Sequence, residues 1–420
     1  MAKLLISIIV LILAVLLLQI DDDLDPVAAQ LISKAEPAGK HDSYAYLWGI
    51  DASANEDPYE VGKSLITSIK RSEAAGGITL DSVTYEPYPE AKKLPLPKDS
   101  LICTVRNDGC IEMMFKGGVN IDRLVQDNTT LISRYNYFNS LNQYNTQTQA
   151  HLSEPLPSYE YITTGNSLVL LKAIRAAAMN SCVISTALLK TNISGIRNQL
   201  KQQDTLIGKL VYLNLLSENL DVAFLVLGIC GNSHYFEVPA LAEHERTLEL
   251  AMSREYSAFY SVIKEIARNP EAFKKGGSLP GWMVRTVIKP NITANDKLPL
   301  YVNAIKLSTL SPKMFLEKVS VKGVAEFETS YVRNLVGSIF NQVAAVNYDE
   351  TIAVFFDIDA KIFLYNSMAR SLDVKFLVGG ISNPYYDTGH YASITADGNW
   401  ACFDGPLPDT KRQRCLRIKI

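Results

Sequence analysis

The chain has 420 residues, with 41 Lys and Arg against 44 Asp and Glu and a formal net charge of −3. That balance offers no basic field to neutralise phosphates, which argues against a nucleic-acid partner. With 47% hydrophobic and 20% charged residues, the chain can bury a sizeable core, and its length allows two or three subdomains.

The first element in chain order is an apolar run. From Leu4 to Ile20 it carries no charge, with Ser7 and the boundary residue Gln19 as its polar positions, and it stops at Asp21-Asp22-Asp23. With Ala2 included, a helix here would be roughly 28 Å long, close to the ~30 Å hydrocarbon thickness of a bilayer. A cleaved secretory signal is the alternative, but it calls for a shorter apolar region and small residues at the cleavage site. Leu18-Gln19-Ile20-Asp21-Asp22 offers nothing small, and Val27-Ala28-Ala29 lies beyond the acids. Residues 1–20 therefore read as a transmembrane signal-anchor. Lys3 precedes the run and Asp21, Asp22, Asp23 and Asp25 follow it, which directs the body to the exported side.

Residues 21–118 read as an irregular, extended segment with one helix, Tyr59 to about Ser72, bearing Val61, Leu65 and Ile69 on one face. Pro26, Pro37 and Pro58 punctuate residues 24–58, and Pro87, Pro89, Pro95 and Pro97 predict extended chain over 78–100.

Residues 119–378 read as a helical body. A helix carries Ile121, Leu124, Val125, Leu131, Ile132, Tyr135 and Phe138. After a Pro-containing link, Leu171, Ile174, Ala178, Cys182, Ser185 and Leu189 mark a long helix opening near Asn166, and Ile196 to Val211 its successor. Leu213 to Cys230 is very apolar, but Asn214, Glu218, Asn219 and Asp221 exclude a second span. Further helices are predicted over 241–268, 327–346 and 351–372, with 270–325 mixed. In residues 379–420, Asn383-Pro384, Gly389, Gly398 and Gly405-Pro406 alternate with short β-like pieces, which predicts a small β-hairpin cap. The fold class expected is mainly α. No internal repeat at solenoid period is visible.

Six cysteines in an exported chain invite a disulfide framework, although six allow fifteen pairings. The local scheme is Cys103 with Cys110, Cys402 with Cys415, and Cys182 with Cys230. The alternative for the last pair is two buried free thiols. Chain entropy gives about 2.5, 3 and 4 kcal/mol for the three loops. There is no CxxC and no His at ligand spacing from a cysteine, so no metal site is expected.

Several short motifs recur in one arrangement. Tyr46, Leu47, Gly49 and Ile50 form Tyr-Leu-x-Gly-Ile; a Cys-x6-Cys segment follows; Leu131, Ile132, Arg134 and Tyr135 form Leu-Ile-x-Arg-Tyr. Near the C-terminus stands Asn383-Pro384-Tyr385-Tyr386-Asp387-Thr388-Gly389, with one extra residue before the Gly. This plan resembles a group of N-terminally membrane-anchored, exported helical proteins of Gram-negative bacteria with no assigned activity. The resemblance implies an inner-membrane location with the body in the periplasm, and no mechanism.

Candidate chemistry is sparse. Phe355-Phe356-Asp357-Ile358-Asp359 resembles the nucleophile strand of haloacid-dehalogenase-like phosphatases, but Lys361 stands where Thr or Val is needed and about 60 residues remain downstream. A helix explains the residues better, with Asp357 and Lys361 as an i,i+4 pair. Glu243-His244-Glu245 lacks the second His of a zinc motif, His234 reads as a solvated loop residue, and no G-x-S-x-G occurs. No phosphate or cofactor loop is present, so no cofactor is expected. Sequons at Asn128 and Asn192 fall in or beside packed helices; a third is at Asn291. No catalytic residue can be assigned. The expected function is envelope binding or scaffolding, with an envelope protein as partner. The alternative is a periplasmic hydrolase with a site between the mid-chain helices. A buried carboxyl of raised pKa beside a His in a cleft would favour the enzyme; a broad exposed apolar or Tyr-rich face would favour the partner.

Overall fold

The structure is a computed structural model that describes residues 20–37, 39, 42–75, 85–98, 120–269, 288–321, 333–343, 347–370 and 378–419, together with Ile6. The rest of the run 1–20, and both Cys103 and Cys110, lie outside the described residues.

Three helices open the body where one, Tyr59 to about Ser72, was expected within irregular chain. Asp25 accepts from the Val27 amide at 2.7 Å and starts α1, Pro26–Ala35. After α2, Asp42–Trp48, Asp57 and Pro58 start α3, Pro58–Ala74, in the same way. Pro26 and Pro58, read as interruptions, are first-turn residues, where a missing N–H costs nothing. Helices α2 and α3 cross in near backbone contact. A Cβ on Gly49 would stand 1.9 Å from the Pro58 carbonyl oxygen, and one on Gly62 1.7 Å from that of Ala45. Residues 85–98 run mostly extended, pinned by Leu94 N–H to the Asp51 carbonyl at 2.9 Å.

The helices that follow are α4 (Ile121–Asp127), α5 (Thr129–Ser140), α6 (Tyr159–Ala178), α7 (Cys182–Gln202), α8 (Leu206–Cys230), α9 (Glu243–Arg246) and α10 (Glu249–Arg268). Then come α11 (Pro290–Ser308), α12 (Pro312–Val321), α13 (Leu335–Val343) and α14 (Asp349–Ala369). The helix expected to run through Ala178 and Cys182 is broken between them. Asn180 takes a φ of +58°, and the Ser181 amide returns to the Ala176 carbonyl at 2.9 Å, a left-handed helix ending that Asn tolerates. Its expected successor is broken at Gln203-Asp204, and Thr205 restarts the chain by accepting from the Gly208 amide. The region expected to be mixed, 270–325, contains α11 and α12.

Helix α8 has no polar stripe to turn to water, its few polar residues being set among apolar ones, and such a helix is stable only when enclosed. It is long and apolar enough to cross a bilayer, yet most of it is buried, with α6, α7 and α14 packed against it. Its polar residues are buried too. Asp221 pairs with Lys361 of α14 at 2.7 Å, and both side chains are fully inaccessible.

The C-terminal residues form a three-stranded antiparallel sheet of β1 (Ser393–Ile394), β2 (Trp400–Cys402) and β3 (Cys415–Arg417), in that order. Cys402 lies opposite Cys415 and is bonded to it. Strand β3 packs on α8 and α14. Cys182 and Cys230 are also bonded, joining the start of α7 to the end of α8 with a Cα–Cα distance of 5.7 Å.

Candidate binding groove

Helix α7 has one buried and one open face. At about 100° per residue, Ser185, Leu189, Asn192, Ile196 and Gln199 fall together and are buried. Val183, Ile184, Ala187, Lys190, Thr191, Ser194 and Lys201 fall on the other side and are exposed. This outer face lines an open groove of about 1250 Å³. Residues of α5 and α6 wall it, among them Asn136, Ser140 and Lys172, and Ala242, His244 and Glu245 close it. A smaller hollow of about 280 Å³ shares Lys190, Ser194 and Arg197 with it and continues to Phe236 and Pro239.

Three sets of contacts hold the groove in shape. The first satisfies the C-terminal carbonyls of α5, which have no partner within their own helix. Asn198 Nδ2 donates to the Leu141 carbonyl at 2.9 Å, and Gln199 Nε2 donates to those of Phe138 and Leu141 at 2.8 and 2.9 Å. The close approach depends on Gly195, where a Cβ would lie 2.9 Å from that of Asn139. The second set lies beneath the floor. Asn192 donates to Asn166 at 2.9 Å and to Asn219 at 2.8 Å, and accepts from the Tyr135 hydroxyl at 2.8 Å. Asn219 donates to Asn166 at 2.8 Å, and Asn166 in turn donates to Glu218 at 3.3 Å. This network ties α5, α6, α7 and α8 together, and burial pushes the Tyr135 phenol upward. The third set is Arg197, which pairs with Glu245 at 2.6 Å and donates to the Ala240 carbonyl at 2.9 Å.

The groove's charge differs in sign from that of the chain. Lys172, Lys190, Arg197 and Lys201 line it against the single carboxylate of Glu245. Its apolar part, Val183, Ile184 and Ala187, lies toward the start of α7, and its cations are spread along the rest. Val183 is 74% and Ile184 57% exposed.

Comparison with protein-family models, with curated proteins and with solved structures gives no match.

The residues that stood out in the sequence lie elsewhere. Asp357 and Asp359 are on α14, a helix rather than a strand, and their partners are on other elements. Asp357 takes Arg414 at 3.3 Å and the Tyr385 hydroxyl at 2.7 Å, and Asp359 takes Arg246 at 2.9 Å. Lys361, expected to pair with Asp357 along the helix, reaches across to Asp221, because both positions point into the body. Burial raises the Asp357 carboxyl to about 6 and also raises that of Asp359.

The motifs that carry the resemblance are joints. The Arg134 guanidinium binds the carbonyls of Ile50, Ser53 and Glu56 at 3.1, 2.7 and 3.1 Å, fastening the chain that follows α2. Tyr135 belongs to the buried amide network. Tyr385 docks the C-terminal cap, and Gly389 takes a φ of +81°. Asn192 is buried and Asn291 is engaged at both side-chain ends, so neither is open to a glycan.

One carboxyl is raised close to neutrality. Glu154 lies in the link between α5 and α6, where burial lifts it to about 7 against the pull of Arg254, which donates to it at 2.7 and 2.9 Å. Thr148 donates to it as well. His151 is nearby in the same link, its Nδ1 within 2.7 Å of the Ser153 hydroxyl. Neither residue lines the groove. His244 does, and Glu245 beside it is held by Arg197. The lysines of the groove were not singled out in the sequence. The signal available was the single stripe of Val183, Ile184, Ala187, Lys190, Ser194 and Lys201 at helical spacing.

Proposed function

We propose that this chain is a membrane-anchored, exported binding protein of the Gram-negative envelope. Its α7 groove receives an acidic, extended segment of a partner protein. Residues 1–20 hold it in the inner membrane and the body lies in the periplasm, in keeping with the group it resembles. The observation that carries the binding role is the charge of the groove, four cations against one carboxylate in a chain that is net negative. Apolar side chains at one end and amides and hydroxyls along the walls supply contacts for an extended backbone. The floor is already ordered by the buried amide network, so little conformational entropy is lost on binding. The raised carboxyls lie outside the groove, each with an arginine partner in the case of Glu154, Asp357 and Asp359. This favours binding over hydrolysis.

Fluorescence anisotropy with a labelled glutamate-rich peptide tests this reading. The peptide should bind the purified protein, and binding should weaken with salt as exposed charges are screened. Lys190→Glu/Lys201→Glu should weaken it by roughly tenfold or more. Equal binding of a lysine-rich peptide would count against the reading.

A further inference from the structure

Helix α13 turns polar side chains inward and two aliphatic ones outward. Its nine residues include no charged side chain. Gly337, Ser338 and Asn341 face the body and are buried, while Leu335 and Ile339 are 43% and 48% exposed and Val336 and Phe340 are half-buried. The inward side is fitted to polar contacts. Asn341 Nδ2 donates to the Thr293 carbonyl at 3.0 Å, and its own carbonyl accepts from Lys297 Nζ at 2.8 Å. Gly337 lies so near α11 that an added Cβ would come within 2.0 Å of the Thr293 hydroxyl. A helix on a water-facing surface turns its apolar stripe inward; here Val336 and Phe340 pack against the core, Phe340 with its ring 5.8 Å from that of Phe259, while Leu335 and Ile339 face out.

The apolar run of the sequence ends beside this helix. Arg333 donates to the Ile20 carbonyl at 2.9 Å and pairs with Asp22 at 2.7 Å. Leu335 follows two residues later, at most about 7 Å along the chain. The acids after the run are fixed to the body. Asp21 accepts from the amides of Asn291 and Ile292 at 2.9 and 3.1 Å, capping α11. Asn291 and Asn295 donate to the carbonyls of Asp22 and Asp23 at 2.8 and 2.9 Å. No free linker separates the end of the run from the body.

We infer that Leu335 and Ile339 rest in the lipid surface where the anchor leaves the bilayer, so that α13 is an interfacial helix and the body is held at a fixed angle to the membrane. The inference rests on the anchor reading proposed above. A lipid surface explains both the outward pair Leu335 and Ile339 on a charge-free helix and its position against the last residue of the run.

The test uses the full chain in phospholipid vesicles, with the fluorescent amino acid dansylalanine placed at position 339 or, for comparison, at position 183 in the groove. Lipids brominated along their acyl chains are the quencher. The probe at 339 should emit to the blue of the probe at 183 and lose most of its intensity to the brominated lipid, while the probe at 183 keeps its own. Equal quenching at both positions would overturn the inference. So would a blue shift at 339 without quenching, which would mean that a protein surface or a second copy covers the helix. Washing the same vesicles with alkaline carbonate separates the two readings. Retained protein with an unquenched 339 leaves the anchor standing and removes the interfacial helix; protein released by the wash removes both.

Discussion

Asp357 shows how one buried carboxyl couples the cap to the body. It takes the Tyr385 hydroxyl and the Arg414 guanidinium from the C-terminal region while belonging to α14. Burial raises its pKa to about 6 in the folded chain. The stability it contributes is therefore fully present below about pH 4 and is lost as the pH rises through about 6. A shift of this size corresponds to about 3 kcal/mol. Urea unfolding of wild type and Asp357→Asn at a series of pH values should show the wild type losing about that much relative to the variant between pH 4 and pH 7. A difference between them that does not change with pH would contradict the assignment. Glu154 has the same sign, with its contribution lost as the pH rises through about 7. The Asp-x-Asp was legible in the sequence as helical, because Phe355, Ile358 and Ile362 keep helical spacing. Its partners were not, since Arg414 and Tyr385 stand 57 and 28 residues away.

Helix α7 is the element on which the proposed function depends, and it is fixed at both ends. Cys182 ties its first residue to the end of α8, and the amides of Asn198 and Gln199 tie its last turns to α5. Closing a 48-residue loop contributes about 4 kcal/mol on a chain-entropy estimate. Replacing both Cys182 and Cys230 with Ser should lower the urea midpoint accordingly and weaken binding of the acidic peptide. An unchanged midpoint would contradict the tie. The boundaries of this helix were hidden in the sequence for a definite reason. Ala178, Cys182, Ser185 and Leu189 keep helical spacing straight through the break at Asn180, so apolar phase alone predicts one continuous helix. The left-handed Asn180 and the cap at Thr205 are the local signals that divide it.

At the scale of the whole molecule, the helical class and the small C-terminal sheet were legible because both rest on local periodicity and on Gly and Pro positions. The enclosure of α8 was legible too, since Glu218 and Asp221 could not face lipid unpaired. The groove was not. Its walls come from residues 132 to 245, its cations belong to no motif, and a lysine stripe on a lone helix looks the same as a solvated face. Helix α1 was missed because Pro26 was taken as a break and not as a first-turn residue, and α2 because its seven residues are too short for a periodic pattern, whereas α3 was expected from Tyr59 to about Ser72 and runs from Pro58 to Ala74. What unites the molecule is a body fastened at Asp21 and Asp22 to the end of an apolar run, with a rigid cationic groove elsewhere on its surface. We propose that this groove holds an acidic partner segment in the envelope. Placing the photo-crosslinker benzoylphenylalanine at Ile184, and separately at the exposed Leu156 outside the groove, tests it in intact membranes. An adduct is expected at position 184 that maps to an acid-rich segment, is lost in Lys190→Glu/Lys201→Glu, and is absent at position 156. Equal yields at the two positions, or an adduct at 184 that survives the charge reversal, would contradict it.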